Sequence, residues 1–101
     1  MADPFVSFII PVFNSGHTLD LCLKSIFNID YDLDKFEVIV VDNGSTDSSV
    51  DIAGQYPVIV HFKPVGTISS VRNHGSQHAK GELFAFVDSD CIIKTNWLRE
   101  A

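Results

Sequence analysis

Asp88 and Asp90 interrupt the apolar run Phe84–Ile93 (FAFVDSDCII) with one residue between them. On an extended chain the two-residue side-chain period sets both carboxylates on one side. There they repel, raising one pKa unless a cation lies between them. Carboxylate and phosphate oxygens together form the usual shell of Mg²⁺ or Mn²⁺. Asp and Ser are also turn formers, so a polar strand end accounts for the same residues. A second acid, Asp42, closes the β-branched run that enters VVDNGSTD (Val40–Asp47). Its carboxylate can accept from a base N–H or a ribose hydroxyl. Gly44 permits a tight turn, and helix capping alone accounts for Ser45, Thr46 and Asp47. Arg72 carries a fixed, planar, multi-donor charge suited to phosphate, or is a solvated helix arginine. His74 and His78, at i and i+4, have zinc-capable spacing. No acid or cysteine lies near them in sequence and no Glu stands between them, so a zinc centre is not expected. His17 and His61 read as structural, and Trp97 and Leu98 as anchors for a following helix.

These residues need elements to position them. Four β-rich runs, Phe5–Val12, Phe36–Asp42, Val58–Phe62 and Glu82–Asp88, predict strands. Their near-continuous apolar character suits strands buried on both faces of a parallel sheet. Between the first two, SGHTLDLCLKSIFN places Leu19, Cys22, Leu23, Ile26 and Phe27 on one helical face, with Asp20 and Lys24 as an i,i+4 pair. The second spacer predicts a helix capped by Ser45 or Thr46 and ended by Gly54. In the third, Ile68, Val71, Gly75 and Ala79 share a small-residue face, and Lys80-Gly81 predicts the helix end. The order βαβαβαβ predicts a Rossmann-like, three-layer αβα fold on a mostly parallel sheet of about four strands. In such sheets ligands collect at the carboxyl ends of strands. Those ends here are Pro11-Val12-Phe13-Asn14, Asp42-Asn43-Gly44-Ser45 and Asp88-Ser89-Asp90, and Arg72 and Asn73 lie on the third helix.

Composition narrows the partners. The 101 residues are 46% hydrophobic and 20% charged, with 6 Gly and 4 Pro, which describes one small globular domain. A net charge of -6, with only 7 Lys and Arg, argues against nucleic acid. A polyphosphate would then need a mediating cation. No run approaches the roughly 20 apolar residues of a membrane span, and the N-terminus has no basic n-region. Cys22 and Cys91 show no metal spacing and suit a reducing cytoplasm. The final NWLREA begins a helix too short to nucleate alone, so the chain reads as the first part of a longer protein.

Four blocks in series, SFIIPVFN, EVIVVDNGSTDSS, ISSVRNHGSQHAKGELFAFVDSD and NWL, resemble the N-terminal half of a family 2 glycosyltransferase with the GT-A fold. The resemblance covers nearly the whole chain. It implies that residues 1–101 are the donor-binding part of the catalytic domain. It implies that the backbone at Pro11, Val12 and Phe13, with Asp42, holds the base and ribose of a nucleotide-sugar, UDP-sugar by default. Asn43 and Ser89 belong to the same set, and Arg72 would lie near the diphosphate. Asp88 would approach the ribose or sugar, and Asp90, with Asp88, would ligate Mg²⁺ or Mn²⁺. The implied reaction is an inverting single displacement onto a glycan or lipid-linked acceptor. Its general base is expected beyond residue 101. The expected location is the cytoplasm, at the membrane surface if the remaining half associates with it. Two departures stand out: Asn43 replaces a frequent second acid, and Cys91 follows Asp90 where another acid is common.

Three rivals fit less well. A dinucleotide oxidoreductase needs G-x-G-x-x-G after the first strand, where PVFNSGH has one glycine. An acid-nucleophile phosphatase would carry its acid pair on the first strand. A non-catalytic nucleotide-binding or self-associating module would keep the fold and use an exposed sheet edge to form a homodimer.

Overall fold

The computed structural model describes residues 4–100, and the final alanine of the predicted terminal helix lies outside them. Four strands, β1 (Val6–Val12), β2 (Phe36–Asp42), β3 (Ile59–Phe62) and β4 (Leu83–Phe86), form one parallel sheet in the order β3-β2-β1-β4. The helices are α1 (Leu19–Phe27), α2 (Ser49–Ala53), α3 (Ile68–His78) and α4 (Trp97–Glu100). One 3-10 turn, Leu33–Lys35, leads into β2.

Alternation along β1 and β2 builds the two outer layers. Val6, Phe8, Ile10 and Val12, with Val38 and Val40, pack against Leu19, Cys22, Leu23 and Ile26 of α1 and Ala53 of α2. On the opposite face Ile39 and Val41 pack against Val71 of α3. The same face holds Ile9, whose Cγ2 would stand 2.5 Å from a Cβ added at Gly75. The small face of α3 therefore brings its backbone close to the sheet. Ile68, expected on that face, is 54% exposed.

Pro11 sits inside a central strand, where a missing N–H ordinarily costs a ladder bond. In a parallel strand successive residues bond to opposite neighbours. Val87 N–H donates to Ile9 O and Asn43 N–H to Val12 O, so the missing N–H of Pro11 faces the β4 side. The β4 ladder runs only from Leu83 to Phe86, opposite Val6–Ile9, so the bond that Pro11 cannot donate falls at the end of the ladder and not within it.

Three local expectations change. Ser45 and Thr46 do not cap α2, which starts later, after Ser48. Asp47 accepts from Ser49 N–H (2.9 Å) and Ser49 Oγ–H (2.6 Å) instead. Lys80-Gly81 does not close α3, which ends at His78 with Ala79 extended. Gly81 is needed for close approach, because an added Cβ would lie 2.5 Å from Ser7 Oγ, which accepts from Gly81 N–H. Finally, β4 stops at Phe86, so the chain is not extended through Asp90. Residues 88–91 form a turn closed by Cys91 N–H donating to Asp88 O (3.0 Å).

Candidate functional site

The strand order reverses direction at β1: the chain adds β2 and β3 on one side, then returns to place β4 on the other. At such a switch point the loops leaving adjacent strands part and open a crevice at their carboxyl ends. A cleft of about 230 Å³ lies there, lined by Pro11, Val12 and Phe13, by Asn43, and by Asp88 and Ser89. Six residues singled out in the sequence thus share one wall. Ser15, Ile68 and Val71 also line it and carried no sequence signal beyond helix patterning.

The β1–α1 and β2–α2 loops hold each other in place. Asn14 adopts φ 47°, a left-handed conformation that Asn tolerates better than most residues. Its N–H donates to Ser45 Oγ (2.9 Å), and its Oδ1 accepts from Thr46 N–H (2.8 Å). The turn leaves Phe13 exposed at the cleft mouth. Gly44, at φ 91°, allows the second loop to fold back.

Asp42 is 2% exposed. Its Oδ2 accepts from the N–H groups of Gly44 (3.1 Å) and Ser45 (3.0 Å), which locks the start of the loop. Its Oδ1 is buried without a partner, as are Asn43 Oδ1 and Arg72 Nε among the described residues. A buried polar atom left unpaired costs roughly 1–3 kcal/mol. Of these residues Asn43 lines the cleft, and its unpaired oxygen is a hydrogen-bonding capacity that a ligand could satisfy.

Arg72 reaches across from α3, its Nη2 donating to Asp88 Oδ1 at 3.2 Å. Both groups are solvent-accessible, so the pair is a modest tie that an incoming anion can exchange. Asp88, Asp90 and Cys91 offer ligand atoms all within 4.8 Å of one another. The two acids therefore meet through a turn and not through strand alternation, and the turn also delivers Cys91. Carboxylate oxygens suit Mg²⁺ or Mn²⁺, whereas a thiol does not select them, so Asp88 and Asp90 fit such an ion and Cys91 is a bystander.

The acidic turn is held from beneath by α1 and its entry loop. Cys22 Sγ–H donates to Asp88 O (3.6 Å), and Ser15 and Ser89 share a hydroxyl hydrogen bond (2.7 Å). Ile93 N–H donates to Ser25 Oγ (3.1 Å). Burial, with the neighbouring Cys91, Asp90 and Asp88, pushes the Cys22 thiol up to about 12, so it stays a neutral packing group. Sequence reading placed Cys22 in the helix core but assigned Ser15 and Ser25 no role. Their partners lie more than 60 residues away, and no local spacing announces that.

Known proteins share this sequence pattern and this fold. AglE, a glycosyltransferase of Haloferax volcanii, is 36% identical over 94% of the chain, which covers 33% of that protein. A poly(ribitol-phosphate) beta-glucosyltransferase of Bacillus spizizenii is 41% identical over 87% of the chain and 15% of its own length. The crystal structure of Staphylococcus aureus TarS 1-349 in complex with UDP-GlcNAc superimposes with a TM-score of 0.89 at 33% identity, over 94% of this chain and 29% of that one. Mannosyltransferase PcManGT of Pyrobaculum calidifontis, solved with GDP-Man and Mn²⁺, gives 0.83 at 26% identity, over 96% and 33%. The chain thus spans a third or less of these relatives. Residues 7–101 match the profile of glycosyl transferase family 2, and the chain belongs to that family.

Proposed function

We propose that this chain is the donor-binding part of an inverting, metal-assisted glycosyltransferase domain whose donor is a nucleoside-diphosphate sugar. The observation that carries the reading is the cleft at the β1/β4 switch point, lined by Asn43, whose Oδ1 is buried without a partner, and by Asp88 of the acid pair. Relatives solved with UDP-GlcNAc and with GDP-Man and Mn²⁺ support the donor class.

The residues take the following roles. The backbone of Pro11, Val12 and Phe13 walls the base and ribose, and Asp42 and Asn43 accept from them. Arg72 offers its unpaired Nε–H and the exchangeable Nη2–H to the diphosphate. Asp88 and Ser89 face the ribose or sugar, and Asp90 with Asp88 would hold Mg²⁺ or Mn²⁺. When bound, the ion neutralises charge on the departing nucleoside diphosphate. In the displacement an acceptor hydroxyl oxygen bonds to the anomeric carbon as the bond to the diphosphate oxygen breaks. The hydroxyl proton passes to a base that lies outside these 101 residues. The acceptor is a glycan or a lipid-linked sugar, and the reaction runs in the cytoplasm or at its membrane surface. No helix among the described residues is long and apolar enough to cross a membrane.

Calorimetric titration of UDP, GDP and NAD with and without Mn²⁺ tests the reading. Metal-dependent binding of a nucleoside diphosphate, lost in Asp90→Ala, is expected. Metal-independent binding of NAD would sink it. A second reading, a self-associating module, is favoured by one observation: Leu83, Phe84 and Phe86 of the outer strand β4 are about half exposed.

A further inference from the structure

His61, His74 and His78 come together on the molecule although they are spread over 18 residues of sequence. The fold dictates the meeting. Val41 of β2 faces α3, and His61 is its register partner on β3, so the pleat turns His61 toward the same helix. His74 and His78 are one turn apart on α3 and project on one side. Ring centroids lie 4.2 Å apart for His61 and His78, 4.7 Å for His74 and His78, and 5.5 Å for His61 and His74.

We propose that His61, His74 and His78 form a binding site for a divalent transition-metal ion, Zn²⁺ being the ion it fits best. This overturns the expectation that the i,i+4 pair lacks a third ligand. That ligand is an imidazole from the neighbouring strand. Each residue offers one nitrogen, and the three ligand atoms lie within 4.8 Å of one another. Tetrahedral ligation at about 2.0–2.1 Å sets ligand atoms roughly 3.4 Å apart, so the rings need close by no more than about 1.4 Å. Small side-chain rotations cover that distance. His78 Nδ1 bonds to His74 O at 2.9 Å. With Nδ1 donating, the Nε2 lone pair is left for the metal, which is the arrangement that fixes a liganding tautomer. Burial, together with the other two rings, lowers the basicity of His61 and favours its neutral, liganding form.

The donor set separates this site from the acidic turn. Three imidazoles and no carboxylate suit Zn²⁺, Ni²⁺ or Cu²⁺ and disfavour Mg²⁺. None of the three histidines lines the cleft. Three protein ligands leave the fourth position to water. An ion there would clamp outer strand β3 to α3, the helix that carries Arg72, and would stabilise the native state by mass action.

Titrating Zn²⁺ into the whole chain tests this, with excess Mg²⁺ present and in an Asp90→Ala, Cys91→Ser background that removes the acidic competitor. Saturable binding of one ion is expected, with a rise in melting temperature that EDTA reverses. His78→Gln and His61→Gln should each weaken binding at least about tenfold and abolish the rise. His78 is exposed, so its variant should fold as the parent does. Co²⁺ should give a d–d absorption band in the parent and lose it in the variants. Equal Zn²⁺ affinity in parent and variants, or no saturable binding below roughly millimolar Zn²⁺, overturns the proposal; the rings would then simply stack.

Discussion

The carboxylate of Asp47 gathers three donors: Ser49 Oγ–H at 2.6 Å, Ser49 N–H at 2.9 Å and Gly16 N–H at 3.0 Å. These bonds, the Ser49 hydroxyl foremost, hold the Asp47 pKa below the usual carboxylate value. The folded state therefore binds this proton less readily than the unfolded chain does. Stability from Asp47 is present above the unfolded value near 3.8 and is lost as pH falls through the lower folded value. Asp47→Ala should lower the melting temperature at neutral pH and make melting depend less on pH below about 4. Equal acid limbs for the two proteins would remove this role. The sequence could not single out Asp47, because STDSS offers five capping-type residues in a row. Gly16, 31 residues away, and Asn14, which occupies Ser45 and Thr46, decide among them. Asp42 stood out in the sequence as the acid closing a β-branched run, but its burial and its orphaned Oδ1 come only from the fold, because acids are seldom buried and pattern alone does not call for it.

At the scale of elements, Val71 and Gly75 dock α3 on the sheet, His74 and His78 lie on the same side of the helix toward His61 of β3, and Arg72 reaches to Asp88. The docking depends on glycine. A Cβ at position 75 would meet Ile9 Cγ2 at 2.5 Å and Val41 Cγ2 at 3.1 Å, both on buried, β-branched side chains with little freedom to move. Overpacking costs about 1–3 kcal/mol, against a gain of up to about 1 kcal/mol from helix propensity. Gly75→Ala should thus lose about 1–2 kcal/mol in denaturant unfolding, and should weaken nucleotide binding by lifting Arg72 away from Asp88. A variant as stable as the parent would mean that α3 retreats freely. Strand β2 was legible to the residue, because the unbroken β-branched run Val38–Val41 favours an extended chain. The acid turn was not, since β4 pairs with only four residues of β1 and where it lets go depends on that register. The result matters for the cleft: turned, residues 88–91 bring Cys91 into the acid cluster and Ser89 onto Ser15.

The whole molecule is asymmetric in how it treats its edges. Strand β1, at the centre, is buried at every position, whereas β4, at one margin, leaves Leu83, Phe84 and Phe86 each close to half exposed. An apolar outer strand with unpaired backbone groups is a template for a further strand. A second copy of these residues could pair along it. Opposing that pairing is a net charge of -6 on each copy. Electrostatic repulsion between exposed charges is screened within about 10 Å at 0.1 M salt and 3 Å at 1 M, while apolar burial is not weakened by salt. Association through β4 should therefore strengthen as salt rises, opposite to an interface held by ion pairs. Sedimentation equilibrium should show the average mass climbing with both protein and NaCl concentration. Phe84→Lys with Phe86→Lys should hold the chain monomeric, because lysine on an edge strand blocks pairing through desolvation more than through net charge. A chain that stays monomeric at high salt would exclude edge pairing.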